Sequence, residues 1–260
     1  MSESPPKRLR IEYPKSPEGT EFPENALCPA DPHFWQQPSF VTEFVLSRIR
    51  RDALVLEIGS GHNNFPRADV SVDIVPSPNV PVEKMIIHDC CKKPLPFPDK
   101  TFDFVYCRHT LEDTYNPFLI CSEMSRVGRA GYIETPSPIV EMCRGVDAGL
   151  AIWRGYNHHR FIIWSFEGVL HFLTKFPLVE FLDPAWDKEL AKLLRGSPQY
   201  WNTHHLWTNQ INMRHLTDFP SRIELPQDYP QAIRSALQES GVSCDAFYQQ
   251  MGIEIQREVA

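Results

Sequence analysis

Long apolar runs are missing from this sequence. None approaches the roughly 20 residues with which a helix crosses a bilayer, so no transmembrane helix is expected. The first residues are polar and include prolines, which does not fit a secretory signal peptide. Positive charge is also scarce, since 26 lysines and arginines stand against 33 aspartates and glutamates and give a net charge of -7. General binding to nucleic acid needs a basic surface and is therefore not expected.

Cysteine pairs at metal-binding or disulfide spacing are absent as well. The seven cysteines form an odd, scattered set without a CxxC pair. This fits a reduced intracellular protein better than a disulfide framework or a zinc site. We expect a cytoplasmic location, and the basic cluster at residues 7–10 leaves the nucleus open as an alternative. No metal is expected, because the adjacent His158 and His159 have no third ligand at useful spacing.

The most informative segment that is present is an apolar stretch ending in an acid and two glycines, LEIGSG at residues 56–61. It predicts a buried parallel strand and then a loop that passes close to a ligand, since glycine has no Cβ to hold that ligand away. A second apolar run ends at Asp73, where an α/β nucleotide site usually binds ribose hydroxyls. The two segments together indicate a cofactor of the adenosine type.

The first half of the chain alternates strands with helices or loops. Strands are predicted at residues 54–58, 70–74, 84–87, 102–107 and 131–134, and helices at residues 38–50 and 117–127. This alternation implies a mainly parallel α/β sheet with ligands at the carboxyl ends of its strands. Residues 1–25 are rich in proline and charge, so a disordered tail is expected there.

The character of the sequence changes after Pro138. Residues 160–175 predict two strands that turn at Glu167 and Gly168. Residues 204–216 predict another strand, and residues 228–251 predict one or two polar helices. A C-terminal elaboration made of a β-hairpin and helices is therefore expected after the parallel sheet.

Taken in order, these segments resemble the class I, Rossmann-like S-adenosylmethionine-dependent methyltransferases, in particular the methyltransferase type 11 group. The resemblance lies between residues 53 and 138, in LEIGSG, in VDI at 72–74, in PFPDKTFDFV at 96–105 and in EMSRV at 123–127. It implies a Rossmann-like, mainly parallel sheet with helices on both faces and S-adenosylmethionine as the cofactor. It also implies one methyltransferase-like domain over residues 26–260, with a cofactor-binding core at 38–138 and a substrate-side elaboration at 139–260.

The resemblance also assigns cofactor-binding residues. The glycine loop would contact the methionine and ribose portions, and Asp73 would accept hydrogen bonds from the two ribose hydroxyls, as a carboxylate can. Asp89 would accept from the adenine amino group, with the backbone amide of Cys90 beside it. The complete predicted set is Glu57, Gly59, Ser60, Gly61, Asp73, Asp89, Cys90 and Arg108.

The chain departs from that pattern after the glycine loop. Only nine residues, 62–70, lead into the second strand, and they include Pro66. A crossover helix needs about 10–12 residues plus turns, so a turn or loop is expected in its place. The third glycine of the dinucleotide fingerprint is missing, with Asn64 in its position. Both features disfavour a nicotinamide or flavin site, whose pyrophosphate binds at a helix N-terminus.

Two groups of residues are candidates for chemistry on the methyl acceptor. His109 follows the fourth strand and changes charge near neutral pH, which makes it the candidate general base. Glu112 lies three residues further on and is the second catalytic candidate, able to orient His109 or to contact the substrate. His158, His159 and Arg160 precede the predicted hairpin and are the candidate substrate-facing residues.

The sequence leaves the reaction partly open. The primary hypothesis is a methyltransferase acting on an unidentified small molecule, lipid, sugar or protein by in-line displacement. An inactive protein of the same fold that serves as a binding or scaffold subunit remains the alternative. Methylation of an amino group on a nucleic-acid base is disfavoured, because CRHT at residues 107–110 replaces the Asn/Asp-Pro-Pro-aromatic motif expected for that reaction. The sequence does not predict the oligomeric state.

Overall fold

The computed structural model of the protein describes residues 37–147, 153–183, 185–216 and 225–253. Its main feature is a six-stranded sheet in the order β3-β2-β1-β4-β5-β8. Five strands are parallel: β1 (Val55–Ile58), β2 (Val70–Asp73), β3 (Met85–Ile87), β4 (Phe102–Arg108) and β5 (Gly128–Pro136). The sixth, β8 (Asn202–Thr208), pairs with β5 in the antiparallel sense. The predicted mainly parallel α/β sheet is confirmed.

Strand β1 is buried over its whole length, as a central parallel strand should be when both faces of the sheet are covered. Val55 belongs to a core with helix α1 (Ser39–Ser47), whereas Leu56 and Ile58 belong to a core with helix α2 (Pro117–Val127). Because successive side chains in a strand point to opposite faces, the two helices cover opposite faces of the sheet. The predicted helices on both faces are therefore present.

The crossover between β1 and β2 contains no helix. Residues 61–69 form turns and bends, and Phe65 and Ala68 bury their side chains in the core beneath α1. The predicted shortening of this crossover is thus confirmed. The loop is held to the sheet by its own contacts, since the backbone N–H of Asp69 donates to the carbonyl of Val55 at 2.9 Å.

Helix α2 begins where the sequence predicts. The Oδ1 atom of Asn116 accepts a hydrogen bond from the backbone N–H of Leu119 at 3.2 Å, and Pro117 occupies the first turn, where its missing N–H costs nothing. The segment 109–116 connects β4 to this helix and carries the candidate catalytic residues.

The chain beyond residue 138 forms a short helix, α3 (Pro138–Met142), and a second, three-stranded sheet in the order β6-β7-β9. Strands β6 (Phe161–Phe166) and β7 (Val169–Thr174) form the predicted hairpin, with positive φ at Glu167 and Gly168 as a type I′ turn requires. The single strand expected at 204–216 is two strands instead, β8 in the main sheet and β9 (Asn212–His215) beside β7. A reversal at Thr208–Gln210 separates them.

Two further helices complete the described chain, α4 (Ala185–Gly196) and α5 (Leu225–Gln250). Phe247 near the end of α5 packs edge-on against Phe44 of α1, with ring centroids 5.4 Å apart. The C-terminal helix therefore extends to the same face of the main sheet as α1. Within the described ranges, no helix combines the length and apolarity needed to span a membrane. The predicted tail at residues 1–25, including the basic cluster at 7–10, lies outside the described residues.

Candidate functional site

The glycine loop and the tip of β2 are in direct contact. The backbone N–H of Gly61 donates to Oδ2 of Asp73 at 3.0 Å. The other carboxylate oxygen, Oδ1, accepts from the backbone N–H groups of Ile74 at 2.7 Å and Val75 at 3.3 Å. Asp73 is half-buried, so its carboxylate is oriented by the backbone while part of the side chain stays open to solvent. The fold thus brings together the two features from which the sequence indicated an adenosine cofactor.

Gly59 lies close to Thr110 in the segment that follows β4. Its φ of +77° lies in the left-handed region, and its N–H donates to the carbonyl of Val72 at 2.9 Å. A Cβ at this position would lie 1.9 Å from Oγ1 of Thr110. Glycine is required here by both backbone conformation and space.

Glu57 is buried beneath the loop. Its Oε1 accepts from the backbone N–H of Phe65 at 2.5 Å, and its Oε2 accepts from the hydroxyl of Ser71 at 2.8 Å. Burial raises the pKa of this carboxyl to about 7, against the lowering effect of the two hydrogen bonds. The described contacts of Glu57 join the loop to β2. Ser60, also buried, directs its hydroxyl to the sulfur of Met85 at 3.9 Å.

The tip of β3 lies beside the tip of β2. The backbone N–H of His88 donates to the carbonyl of Asp73 at 2.8 Å, which places Asp89 one residue beyond this contact. Asp89 is partly exposed and accepts from the N–H of Cys91 at 3.0 Å and from Lys92 at 2.9 Å. The hydrogen bond with Lys92 is the main reason that the pKa of Asp89 is lowered. Cys90 is buried, and burial raises the pKa of its thiol to about 12, so this group is a neutral thiol near pH 7.

The end of β4 carries Arg108 and His109, and both face a buried glutamate of β5. Nε of Arg108 donates to Oε1 of Glu134 at 2.8 Å, and Nε2 of His109 lies 3.6 Å from the same oxygen. Burial alone would raise the pKa of Glu134, but the charge of Arg108 and the nearby imidazole of His109 outweigh it and lower the pKa. Glu134 is therefore an anion that fixes the two side chains after β4.

A chain of hydrogen bonds from Tyr132 and His204, which the sequence did not predict, also ends at Glu134. The hydroxyl of Tyr132 donates to Oε2 of Glu134 at 2.5 Å and lies 2.7 Å from Nδ1 of His204. Burial lowers the pKa of His204 to about 4, so its imidazole is neutral at pH 7. Because the single tyrosine proton is directed to Glu134, Nδ1 of His204 carries the proton it donates to Tyr132. Alternation along β5 puts Tyr132 and Glu134 on one face and is the only sequence signal for this chain of groups.

His109 lies between two carboxylates. Its φ is +46°, its backbone N–H donates to the carbonyl of Glu134 at 2.8 Å, and its Nδ1 lies 3.5 Å from Oε1 of Glu112. Burial lowers the pKa of His109, but Glu112 and Glu134 raise it further, so the net direction is upward. Glu112 is 2% exposed, and within the described residues neither of its carboxylate oxygens makes a hydrogen bond. The two predicted catalytic residues are thus neighbours in the fold.

The candidate substrate-facing residues adjoin this pair through Asp113. Nε2 of His158 and Nε2 of His159 lie 3.5 Å and 3.7 Å from Oδ1 of Asp113. The backbone N–H of Arg160 donates to the carbonyl of Glu112 at 2.7 Å, and its Nε donates to the carbonyl of Asp113 at 3.2 Å. His158 and Arg160 are exposed, whereas His159 is buried. The fold therefore gathers all five candidate acceptor-side residues beyond the end of β4.

A cavity of about 440 Å³ adjoins the loop of residues 61–69, which connects β1 to β2. It lies on the α1 face of the sheet and includes Arg108, Tyr106 and the loop residues Asn63 and Asn64 in its lining. Gln37 lines it as well and donates through Nε2 to Glu134, the partner of Arg108. The loop that replaces the first crossover helix therefore forms one wall of this cavity. Arg108, which is paired with Glu134, forms another part of its lining.

Comparison with known families agrees with this architecture. The family model described as methyltransferase domain matches residues 56–133, the segment from β1 to β5. The predicted resemblance to class I S-adenosylmethionine-dependent methyltransferases is therefore confirmed. No curated protein sequence matches the chain.

Solved structures match the chain at low identity. The YcgJ protein of Bacillus subtilis is 17% identical, with a TM-score of 0.31, over 38% of this chain and 50% of its own. An S-adenosylmethionine-dependent methyltransferase of Aquifex aeolicus is also 17% identical, with a TM-score of 0.31, over 39% of this chain and 69% of its own. A protein from a complex with the Haloferax volcanii methyltransferase activator Trm112 is 12% identical, with a TM-score of 0.37, over 66% of this chain and 89% of its own. The match to YcgJ thus spans half the length of that protein.

Proposed function

We propose that this protein is a methyltransferase that binds S-adenosylmethionine and methylates an acceptor of still unidentified class by in-line displacement. The observation that carries the proposal is the contact between Gly61 and Asp73, which holds a partly exposed carboxylate at the tip of β2 beside a glycine loop. The family match over residues 56–133 supports the same conclusion. S-adenosylmethionine, when bound, supplies a methyl group already activated on a sulfonium.

The residues at the strand tips fit this cofactor. Asp73 has an oriented, partly exposed carboxylate suited to a ribose diol, and Asp89 is a partly exposed acid at the next tip. Gly59 and Ser60 complete the loop between them, with Glu57 beneath it and Cys90 beside Asp89. The turn structure of residues 61–69 offers no helix N-terminus for a pyrophosphate. This favours a cofactor without phosphate over a nicotinamide or flavin.

Arg108 fits the amino-acid end of the cofactor. Its guanidinium lines the 440 Å³ cavity beside Asn63 and Asn64 and is already paired with Glu134. Arginine binds carboxylates through a fork of parallel donors, so the guanidinium type of Arg108 suits the cofactor's carboxylate. The pairing with Glu134 also offsets a positive charge that would otherwise repel a sulfonium nearby.

The acceptor side is the segment beyond β4. His109 would remove the proton of an acceptor hydroxyl, amine or thiol, while Glu112 and Glu134 orient its ring and stabilise its cationic form. His158, His159 and Arg160 adjoin this base and would contact the rest of the acceptor. Holding the acceptor atom in line with the methyl group is the main catalytic contribution expected of such a site.

Two measurements test the proposal. Purified protein is titrated calorimetrically with S-adenosylmethionine, with its demethylated product and with NADPH, and labelled methyl transfer is then followed against fractionated cell extract. Binding of the first two ligands together with transfer of label into a fraction supports the proposal. Binding of NADPH alone would overturn it. Uptake of both S-adenosyl ligands without transfer to any fraction would favour the inactive binding or scaffold protein.

A further inference from the structure

We propose that Asp113, His158 and His159 form a binding site for a divalent transition metal, which we assign to Zn²⁺. Nothing in the family match provides for such a site. Metal binding here does not depend on the proposed methyl transfer, and with the metal bound His158 and His159 would meet an acceptor through it and not directly. The three side chains offer one carboxylate oxygen and two imidazole nitrogens that all lie within 4.8 Å of one another. The sequence places Asp113 far from the two histidines, and only the fold supplies this third ligand.

The spacing of the ligand atoms fits tetrahedral coordination. Two ligands bound to zinc at about 2.0–2.1 Å in a tetrahedral arrangement are about 3.4 Å apart. Oδ1 of Asp113 lies 3.5 Å from Nε2 of His158 and 3.7 Å from Nε2 of His159. The two imidazole rings have centroids 4.6 Å apart and are inclined at 76°, so their nitrogens can converge on one point without stacking. His158 is exposed, so its ring is free to rotate and adjust its distance to the other two ligands.

A second, independent observation is the hydrogen bonding behind His159. Nδ1 of His159 lies 2.5 Å from Oε1 of Glu141, a carboxylate that is 1% exposed. This contact places the ring hydrogen on Nδ1 and leaves the lone pair of Nε2 directed toward Asp113 and His158. A carboxylate behind a histidine is the common support for a metal-binding imidazole, since it fixes the ring and increases its basicity.

The supporting carboxylate is itself fixed. Nζ of Lys175 donates to Oε2 of Glu141 at 2.5 Å and to the carbonyl oxygens of Arg154 and Tyr156 at 2.9 Å and 2.7 Å. These hydrogen bonds connect the backbone before His158 to Lys175, the residue that follows β7. The buried half of the cluster is thus rigid before any metal binds, which lowers the entropy cost of assembling the site.

The charge of the neighbourhood favours a cation. Glu112 precedes Asp113, is buried, and makes no hydrogen bond through either oxygen within the described residues. Arg160 contacts Asp113 through the carbonyl oxygen and not through the carboxylate. His109 lies beside Glu112, and a divalent ion at the three ligands would add positive charge next to Asp113, the carboxylate that follows it.

The ligand types determine which metal is expected. Imidazole nitrogens with one carboxylate suit Zn²⁺ or Co²⁺, whereas Mg²⁺ and Ca²⁺ prefer sites made only of oxygen. Three protein ligands leave the fourth tetrahedral position free, and Asp113 and His158 are both exposed to solvent. A zinc site with an open position binds a water molecule or an oxygen or nitrogen donor of a small ligand.

The test uses the full chain, stripped of metal with a chelator and without S-adenosylmethionine, so that its result is independent of the methyltransferase proposal. Zn²⁺ and Mg²⁺ are titrated by calorimetry, and Co²⁺ is followed by its visible absorption. We expect one Zn²⁺ per chain, a cobalt spectrum of a tetrahedral nitrogen and oxygen site, and no saturable Mg²⁺ binding. Less than one equivalent of Zn²⁺, or an octahedral cobalt spectrum, would overturn the assignment.

Variants locate the site. His158→Ala and Asp113→Asn change exposed side chains, so we expect both to fold, and each should weaken Zn²⁺ binding by 10-fold or more. Glu141→Gln should weaken it about 10- to 100-fold by removing the support of His159. His62→Ala removes another exposed histidine and serves as the matched control, with unchanged affinity. Zn²⁺ affinity that is unaffected in both His158→Ala and Asp113→Asn would refute the site, and circular dichroism of each variant verifies folding.

Discussion

The backbone N–H of Gly61 donates to Oδ2 of Asp73 at 3.0 Å, so the acid at the tip of β2 closes the glycine loop as well as facing the proposed ribose position. We predict that Asp73→Ala weakens binding of S-adenosylmethionine about 10- to 10,000-fold, because one or two hydrogen bonds to a charged acceptor are lost at about 1.5–3 kcal/mol each. Isothermal titration of the variant with S-adenosylmethionine and with its demethylated product measures this loss.

The matched control for this prediction is Asp103→Ala. Asp103 is another half-buried carboxylate on the same sheet, and it accepts from the backbone N–H of Leu54 at 2.9 Å at the opposite end of the strands. Both variants should lose a similar, small amount of stability, since each exposes backbone amides that water can reach. Equal cofactor affinity in the two variants would show that Asp73 serves only the loop.

Gly59 provides a second prediction, on stability. Gly59→Ala combines left-handed backbone strain with a Cβ 1.9 Å from Oγ1 of Thr110, so we expect a loss of several kcal/mol in the free energy of unfolding and impaired cofactor binding. Gly61→Ala is the control, since a Cβ there meets nothing within 4 Å and only the strain of its φ of +44°, about 1–2 kcal/mol, remains. Urea unfolding of both variants measures the two losses, and an equal loss in Gly59→Ala and Gly61→Ala would mean that Thr110 moves aside for the added Cβ.

Much of the fold was predictable because its signals are local. The apolar stretch before Gly59, the Asn116-Pro117 start of α2 and the Glu167-Gly168 turn each specify one element through neighbouring residues. The partition of residues 202–215 was not predictable in this way. Whether β8 joins β5 and β9 joins β7 depends on which sheet has a free edge, which is a property of the assembled fold.

The candidate site likewise contains some features that local sequence signals predict and others that depend on the assembled fold. Asp73, Asp89 and His109 follow strands in the sequence, so the carboxyl edge of the sheet brings them to one end of the molecule. The partners of His109 and His159 come from elsewhere: Glu134 lies in β5 and Glu141 in α3. No spacing in the sequence relates Asp113 to His158. Sequence patterns therefore predicted the separate groups, and only tertiary contacts show which of them lie together.

A third prediction concerns His109 as the base. Because Glu112 and Glu134 raise its pKa, the neutral form that accepts a proton is populated only as pH rises above 6.5. Turnover should therefore increase with pH through a pKa higher than 6.5 and then level off. His109→Ala should lower kcat about 100- to 10,000-fold while changing the dissociation constant for S-adenosylmethionine far less.

Glu112→Gln separates a catalytic role for His109 from a merely structural one. Removing this carboxylate takes away a cause of the raised pKa, so the rise of kcat with pH should move to lower pH. His62→Ala, which changes an exposed histidine outside this cluster, should leave the pH profile as it is. A wild-type rate that does not vary between pH 6 and pH 9 would exclude His109 as a base and would indicate an acceptor that loses no proton.

The last prediction uses His205 of β8 to test how the core responds to acid. Burial lowers the pKa of this imidazole from 6.5 to about 4. Its Nδ1 pairs with the hydroxyl of Ser165 at 2.8 Å, and its Nε2 has no hydrogen-bond partner within the described residues. Between those two pH values the unfolded chain binds a proton that the folded chain does not. The stability that neutral His205 contributes is therefore fully present above pH 6.5 and is lost as pH falls toward 4.

His205→Gln removes the titrating imidazole. The destabilising effect of this substitution should therefore shrink by about 2 kcal/mol between pH 7 and pH 5, at about 1.36 kcal/mol per pH unit below 6.5. Thr203→Ala, a buried change without a titrating group in the same strand, should cost the same at both pH values. Urea unfolding of the three proteins at the two pH values measures these differences, and an effect of His205→Gln that is independent of pH would mean that His205 is protonated in the core or reached by water.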